Sequence, residues 1–315
     1  MIFNVMKVLF FFFFFGGTTK AFTPPPGGLS RRCRPRPVVS MSAEDVAGVI
    51  VGGGRIGSLL RSEGDAVMTR ASGWPADAPA AGPIYVCVRN DSLEDVIAAT
   101  PVERREDLVF LQNGWLLPFL EARGLGEATQ GLVYFAVAKE GDAPVDGITD
   151  LNPDGLTAVR GKWAEAFQKR LATKGGGGLK CKVLNDRDAF LKAMLEKHVW
   201  ICAFMLVGAT HGGCTVGDVV KKHGAQFDSL ANELAQAGAR DLGVLLDDGY
   251  LPRLKAYARA VAHFPTAVKE FKWRNGYFFQ LTRAAVERGD TDPCPTHTSL
   301  LYTLNLPLDF DFDFD

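Results

Sequence analysis

Paired cysteines and an excess of charge of either sign are both missing from this chain of 315 residues. Its six cysteines, Cys33, Cys87, Cys181, Cys202, Cys214 and Cys294, are scattered. They form no CxxC and no Cys/His cluster at metal-ligand spacing, so neither a disulfide framework nor a metal site is expected. Several stand in apolar runs, where a thiol is usually a small buried hydrophobe. Lys and Arg number 35 against 36 Asp and Glu, a net charge of −1, and no basic run follows the first 43 residues. That balance argues against nucleic acid as the main partner. A membrane-crossing run is missing too. Residues 8–15 are apolar but too few, and residues 199–209, nearly all apolar, fit a buried core helix. What remains is 47% hydrophobic and 23% charged, enough for a large core, with a length that suggests two domains. No internal repeat is visible.

Acidic residues are absent from positions 16–43, which carry Lys20, Arg31, Arg32, Arg34 and Arg36. Lys7 precedes the apolar residues 8–15, which read as a signal-peptide core. An Arg- and Pro-rich, acid-poor stretch after such a core resembles the two-part presequence of algae with secondary plastids, with Ala21-Phe22 at its cleavage junction. The resemblance implies a targeting presequence over residues 1–43, a mature chain starting near Met41 and a plastid stroma as destination. Plain secretion is the alternative, and the irregular cysteine spacing counts against it.

The richest pattern comes next. Residues 48–51 read as a buried strand that runs into Gly52-x-Gly54-x-x-Gly57. Gly52 permits the tight turn, Gly54 lets a pyrophosphate approach the backbone, and Gly57 lets a helix lie close to the strand. The cofactor-binding stretch is thus Gly52, Gly53, Gly54, Arg55, Ile56 and Gly57, with phosphates at the helix N-terminus. The second strand, residues 66–69, ends in Arg70, where an NAD enzyme usually carries an acid. A guanidinium there suits a 2′-phosphate, so NADP is expected. Only six residues separate Gly57 from Gly64, so the intervening helix is about two turns long.

Further strands are expected at 84–88, 108–111, 131–137 and 157–160, with helices at 92–99, 115–122 and 163–172. Alternating strand and helix spells a parallel sheet wrapped by helices. Arg89 and Asn113 follow strands and would face the ligand crevice, Arg89 toward a phosphate or carboxylate and Asn113 toward nicotinamide or substrate. A solvated arginine and a plain Asn-Gly turn are the alternatives. Residues 134–155 read as turns, and 179–184 as a last strand. Helices then dominate, at 190–209, 226–236, 251–261 and 277–288.

Lys197 heads the most apolar helix, where desolvation would lower its pKa toward the range useful for proton donation. The bland alternative is a snorkelling lysine paired with Glu196 or Asp188. His198, His211 and His263 are each weighed as acids against structural roles. Residues 263–276 are densely polar and aromatic, so Lys269, Glu270, Arg274 and Asn275 suggest one wall of a pocket. A helix end capped at Asn275-Gly276 accounts for the last two equally well. Residues 292–297 are turn-rich and carry no motif.

Taken together, the glycine motif, Arg70, Arg89, Asn113-Gly114, Lys197 and Glu270 with Asn275-Gly276 resemble the ketopantoate reductase family, within the 6-phosphogluconate dehydrogenase-like superfamily. The resemblance covers about residues 47–300. It implies an α/β fold, a Rossmann-type doubly wound sheet followed by an all-α C-terminal domain. The divisions expected are an NADP-binding domain over 44–186, a helical substrate and dimerisation domain over 187–305, and an acidic tail over 306–315. It implies hydride transfer from NADPH to a 2-oxo acid or related carbonyl. Lys197 and Glu270 would be catalytic, the first as proton donor and the second on the substrate hydroxyl. Asn113, Thr266 and Asn275 would contact substrate. The implied partners are a small carbonyl compound and a second copy in a homodimer, with no membrane for the mature form. Ile201 and Met205 depart from the pattern, since the family carries asparagines one and two turns beyond the lysine. They favour the alternative of a non-catalytic NADP(H)-binding sensor or scaffold.

Overall fold

A computed structural model of the protein describes residues 46–173, 178–306 and 308. The presequence expected over residues 1–43 and nearly all of the acidic tail lie outside the described residues. Those described belong to one compact unit running from Glu44 to Asp315.

Seven short strands build one sheet: β1 (Val49–Val51), β2 (Ala66–Met68), β3 (Ile84–Val86), β4 (Leu108–Phe110), β5 (Thr129–Leu132), β6 (Ala158–Arg160) and β7 (Lys182–Val183). Their order is β2-β1-β3-β4-β5-β6-β7. β1 to β5 are parallel, β6 turns antiparallel to β5, and β7 follows β6. The register pairs Val49 with Ala66 on one side and with Ile84 on the other. The chain therefore reverses its direction of travel across the sheet at β1, which opens a crevice at the carboxyl ends of β1 and β3.

Helices α1 (Arg55–Leu60), α2 (Leu93–Ala99), α3 (Leu117–Ala122) and α4 (Ala164–Thr173) cover both faces. β1, β3 and β4 read as apolar runs because neither face meets water. Val49, Val51, Val86 and Phe110 pack in one cluster with Leu93, Phe119 and Leu120, while Ile50, Tyr85 and Val109 pack in another with Phe167 and Leu171. That split is the period of two expected of a strand.

An ion pair ties this sheet together where no sequence pattern announced it. Arg170 on α4 and Asp65 before β2 have side chains with no exposed surface, and Nη1 donates to Oδ2 at 2.6 Å. Arg170 also donates to Leu60 O and Val46 O, and Asp65 accepts from the Gly48 and Ser62 amides. The pair thus clamps the entry to β1, the exit from α1 and the face of α4.

The helical part follows: α5 (Arg187–Thr210), α6 (Val216–Lys222), α7 (Gly224–Leu242), α8 (Tyr250–Ala260), α9 (Asn275–Glu287) and α10 (Pro295–Thr303). The Asp186 carboxylate caps α5 by accepting from Ala189 N at 2.7 Å. Sixteen of the 24 residues of α5 are buried, so it is covered on every side. No helix of the described residues is long and apolar enough to cross a membrane. The five described cysteines are free.

Several expectations shift. The strand expected over 131–137 is instead β5, ending at Leu132, and residues 136 and 145 meet only in an isolated bridge. Two helices were not anticipated. α6 begins at a capping box between Thr215 and Asp218. α10 begins in the turn-rich stretch, where the Glu233 carboxylate from α7 accepts from the Thr296 and His297 amides. Asn275-Gly276 opens α9 rather than closing a helix, because Arg274 just before it takes φ −121° and ψ −97°.

Asp65→Asn leaves the Arg170 charge buried without its partner and is expected to cost about 3–5 kcal/mol of unfolding free energy. Urea denaturation followed by circular dichroism measures it, and a loss under 1 kcal/mol would reject the clamp.

Candidate active site

The crevice at the end of β1 has the geometry of a dinucleotide cradle. Gly52 turns at φ +95°, a conformation that side chains rarely adopt. A Cβ on Gly57 would lie 1.9 Å from the Gly52 carbonyl oxygen, so only glycine allows α1 to sit this close to β1. At Gly53 and Gly54 a Cβ would meet nothing within 4 Å, which leaves backbone open to a ligand. Arg55 and Ile56 follow as the first residues of α1. The Arg55 guanidinium donates to Val137 O and Ala138 O, and Ser58 Oγ donates to Glu140 Oε1 at 2.7 Å, so residues 137–140 are tethered to this helix.

Beside the cradle opens a cavity of about 470 Å³, lined by Gly52, Met68, Arg70, Val88, Ser92 and Val96 among others. Apolar walls with a cationic rim suit an adenosine carrying a phosphate. Arg70 Nη2 donates to Ser92 Oγ at 3.1 Å, which holds the guanidinium at that rim. Asp95 lines the cavity as well and adds one negative charge. The open glycines, the cavity and Arg70 therefore fit a nicotinamide dinucleotide. Arg89 stands outside this group: its side chain is 79% exposed and 3.8 Å from Asp91.

Lys197 is brought to the same end of the sheet. It is 6% exposed, and its Nζ donates to Val133 O at 2.6 Å, the carbonyl just past β5. The Tyr134 ring centroid lies 5.2 Å from Nζ. Burial, with the Arg274 charge adding to it, pushes the Lys197 ammonium down to about 7. His198, next on α5, is pushed down to about 3 by burial, so it is neutral at physiological pH. It shares a 3.0 Å hydrogen bond with Arg274 O and packs on Trp115. Its role is to hold the segment opposite. His211 lies elsewhere, stacked on His223 at the far end of α5.

That segment, residues 270–275, spans from α5 to the turn after β4. Gly114 takes φ +135°, and a Cβ there would lie 2.7 Å from Trp273 O. The Trp115 amide donates to the same oxygen at 2.6 Å. Asn113 is exposed at this junction, with its backbone oxygen held by Asn90 Nδ2 at 2.9 Å. Glu270 adopts φ +48°, a left-handed conformation uncommon outside glycine and found at functional sites. Its carboxylate pairs with Arg274 Nη2.

Two expected substrate contacts are placed otherwise. Thr266 is 4% exposed and donates to Cys214 O, with its hydroxyl packed on Gly208. Gly208 lies eleven residues along α5 from Lys197, about 16 Å by helical rise, so Thr266 does not join Lys197. Asn275 is 1% exposed, and its Oδ1 pairs with His297 Nε2 at 2.9 Å inside the helical core. The Val133 carbonyl and the Tyr134 ring were missed, because a backbone acceptor and an aromatic in a turn-rich stretch leave no sequence signal.

No family model matches the chain, and no curated protein matches it either. Solved structures do. The 2-dehydropantoate 2-reductase from Methylococcus capsulatus superposes with a TM-score of 0.55 at 14% identity, covering 84% of this chain and 99% of that one. A dimeric ketopantoate reductase from Staphylococcus aureus gives 0.51 at 16% identity, with coverage of 82% and 99%. D-mandelate dehydrogenase in complex with NADH gives 0.54 at 15%, with coverage of 82% and 97%. The chain therefore has the ketopantoate reductase-like fold, a Rossmann-type sheet followed by helices, shared by structures named as reductases and dehydrogenases.

A lysine depressed to about 7 in the folded state and ordinary when unfolded costs stability as pH falls. The loss begins near the unfolded value of about 10.4 and is complete below the folded one. Urea unfolding at pH 6 and pH 9 is expected to show higher stability at pH 9. Lys197→Met should shrink that difference, and an unchanged difference in the variant would place the titration elsewhere.

Proposed function

We propose that the protein is an NADP-dependent oxidoreductase of ketopantoate reductase type, reducing the carbonyl of a 2-oxo acid or related compound. The observation that carries this reading is the buried Lys197 ammonium, near neutrality in its proton affinity, at the carboxyl end of the sheet that also holds the glycine cradle. The nicotinamide supplies the hydride when bound. The chain supplies binding, orientation and a proton. Gly52 to Gly57 hold the pyrophosphate, and Arg70 meets the 2′-phosphate. Lys197 protonates the oxygen that gains charge, the Val133 carbonyl fixes its ammonium beforehand, and Glu270 accepts from the substrate hydroxyl. Asn113 lies at the exposed turn between cofactor and substrate. A donor positioned before the reaction needs no reorganisation as charge develops.

The solved structures support this reading through the fold, and the dimeric relative supports a homodimer. Delivery to a plastid by residues 1–43 belongs to the same proposal. A second reading, a nucleotide-binding sensor without turnover, is favoured by Ile201 and Met205, one and two turns beyond Lys197 and both apolar.

A thermal-shift comparison of NADPH with NADH tests the cofactor. Ligand at a hundred times its dissociation constant stabilises by about 2.7 kcal/mol. NADPH is expected to stabilise more, and Arg70→Asp to erase the preference; equal shifts in the unmodified protein would reject the phosphate assignment.

Turnover with a panel of 2-oxo acids separates enzyme from sensor. Lys197→Ala is expected to lower the reduction rate at least 100-fold while NADPH still binds, the lower range for a lost general acid. NADPH binding without oxidation by any of the panel would establish the sensor reading.

A further inference from the structure

Arg274 is a cation with more donors than the protein uses. Its side chain is 16% exposed, and Glu270 Oε2 meets it at Nη2. The Nε–H is buried without a partner, and Nη1 donates no hydrogen bond among the described residues. A guanidinium has five N–H groups in a rigid fork, and the contact at Nη2 leaves Nε–H and Nη1 unshared. Buried donors are almost always satisfied, so this orphan asks for an acceptor.

The position of that orphan is set by its neighbours. The Arg274 backbone oxygen lies 3.0 Å from His198 Nε2, which anchors residue 274 against the head of α5. Its charge acts on Lys197, His198 and Cys202, a patch that spans more than one turn of that helix. Ile201 belongs to the same patch and is 6% exposed, and Met205 follows one turn on. The α5 wall beyond Lys197 therefore offers an anionic ligand no hydrogen-bond donor. With Lys197 protonated, Lys197 and Arg274 together carry two positive charges against the single negative charge of Glu270. The excess is one positive charge, which one carboxylate would balance.

We propose that Arg274 is the carboxylate-binding and specificity-determining residue of this site, gripping the acid end of a 2-oxo acid through its unshared Nε–H while Lys197 faces the carbonyl oxygen. This rests on the reductase reading for the carbonyl, but the carboxylate grip is measurable without turnover. A carboxylate arriving here satisfies the orphan Nε–H with a charge-assisted hydrogen bond. The Glu270 carboxylate contacts Nη2, so ligand and Glu270 would share the cation.

The test uses oxamate, a stable 2-oxo acid analogue with one carboxylate, and oxamide, its neutral counterpart. Binding of each is read by thermal shift and by tryptophan quenching, with and without NADPH. Oxamate is expected to bind, and Arg274→Gln to weaken it about 10- to 100-fold, the loss of a charged hydrogen-bonded contact. Oxamide affinity should change less than threefold. Should Arg274→Gln fail to fold, Arg274→Lys keeps the charge without the fork and is expected to lose at least fivefold. Oxamate binding within threefold of the unmodified protein, no oxamate binding at all, or equal loss for oxamate and oxamide would each overturn the proposal. An NADPH shift that is absent while oxamate still binds through Arg274 removes the reductase reading and leaves the carboxylate site standing.

Discussion

Everything in the helical half follows from one constraint: α5 carries apolar side chains on every side and must be covered all round. α7 packs along it through Leu230, Leu234 and Phe227, which stacks on Phe204 at 3.9 Å between ring centroids. α9 and α10 supply Phe278 and Leu301, and the end of β5 covers its head. A helix buried this completely takes its polar residues down with it. Lys197 and His198 are therefore desolvated by the packing of their neighbours, and their altered proton affinities are a by-product of how α5 folds. Each had to find a partner at the junction, which is why Val133 O and Arg274 O are there.

The same logic sets the opposite wall. The parallel strands β1 to β5 have their carboxyl ends at one edge, and the order of strands puts the crevice beside β1. Gly57 against the Gly52 carbonyl draws α1 inward, and the buried Arg170–Asp65 pair stops the ends of β1 and α1 from relaxing outward. Rigidity at the base of the cradle comes from that pair. Openness at its lip comes from Gly53 and Gly54, whose missing side chains leave the backbone reachable. The glycine cradle and Lys197 thus rest on different elements, and residues 270–275 touch both the β4 turn and α5.

That joining segment gathers the site's unusual features. Glu270 sits in a left-handed conformation, Arg274 turns sharply before α9, and the Trp115 amide is locked to Trp273 O. Strain of this kind persists only where surrounding contacts over-determine it. Here Trp115, stacked on Tyr277 at 4.2 Å, and His198 provide those contacts. With Lys197 protonated, the charges here are two cations and one carboxylate, and the α5 wall beside them is apolar at Ile201 and Met205.

The alternation of short apolar strands with helices determined the doubly wound sheet, because a strand buried on both faces has to be apolar throughout. The glycine spacing determined the cradle, because no other residue permits those approaches, and an eleven-residue apolar stretch determined that α5 would be core. Local chemistry sufficed for each. Tertiary structure decided the rest. It decided that Asn275 opens a helix and pairs with His297, since His297 arrives from 22 residues away. It decided that α10 forms, since the acid at its start belongs to α7. It placed Thr266 on Gly208, far from Lys197, and left the Nε–H of Arg274 buried without a partner. These are pairings between distant segments, and the energy of burying a polar group depends on a neighbour that the sequence does not place beside it.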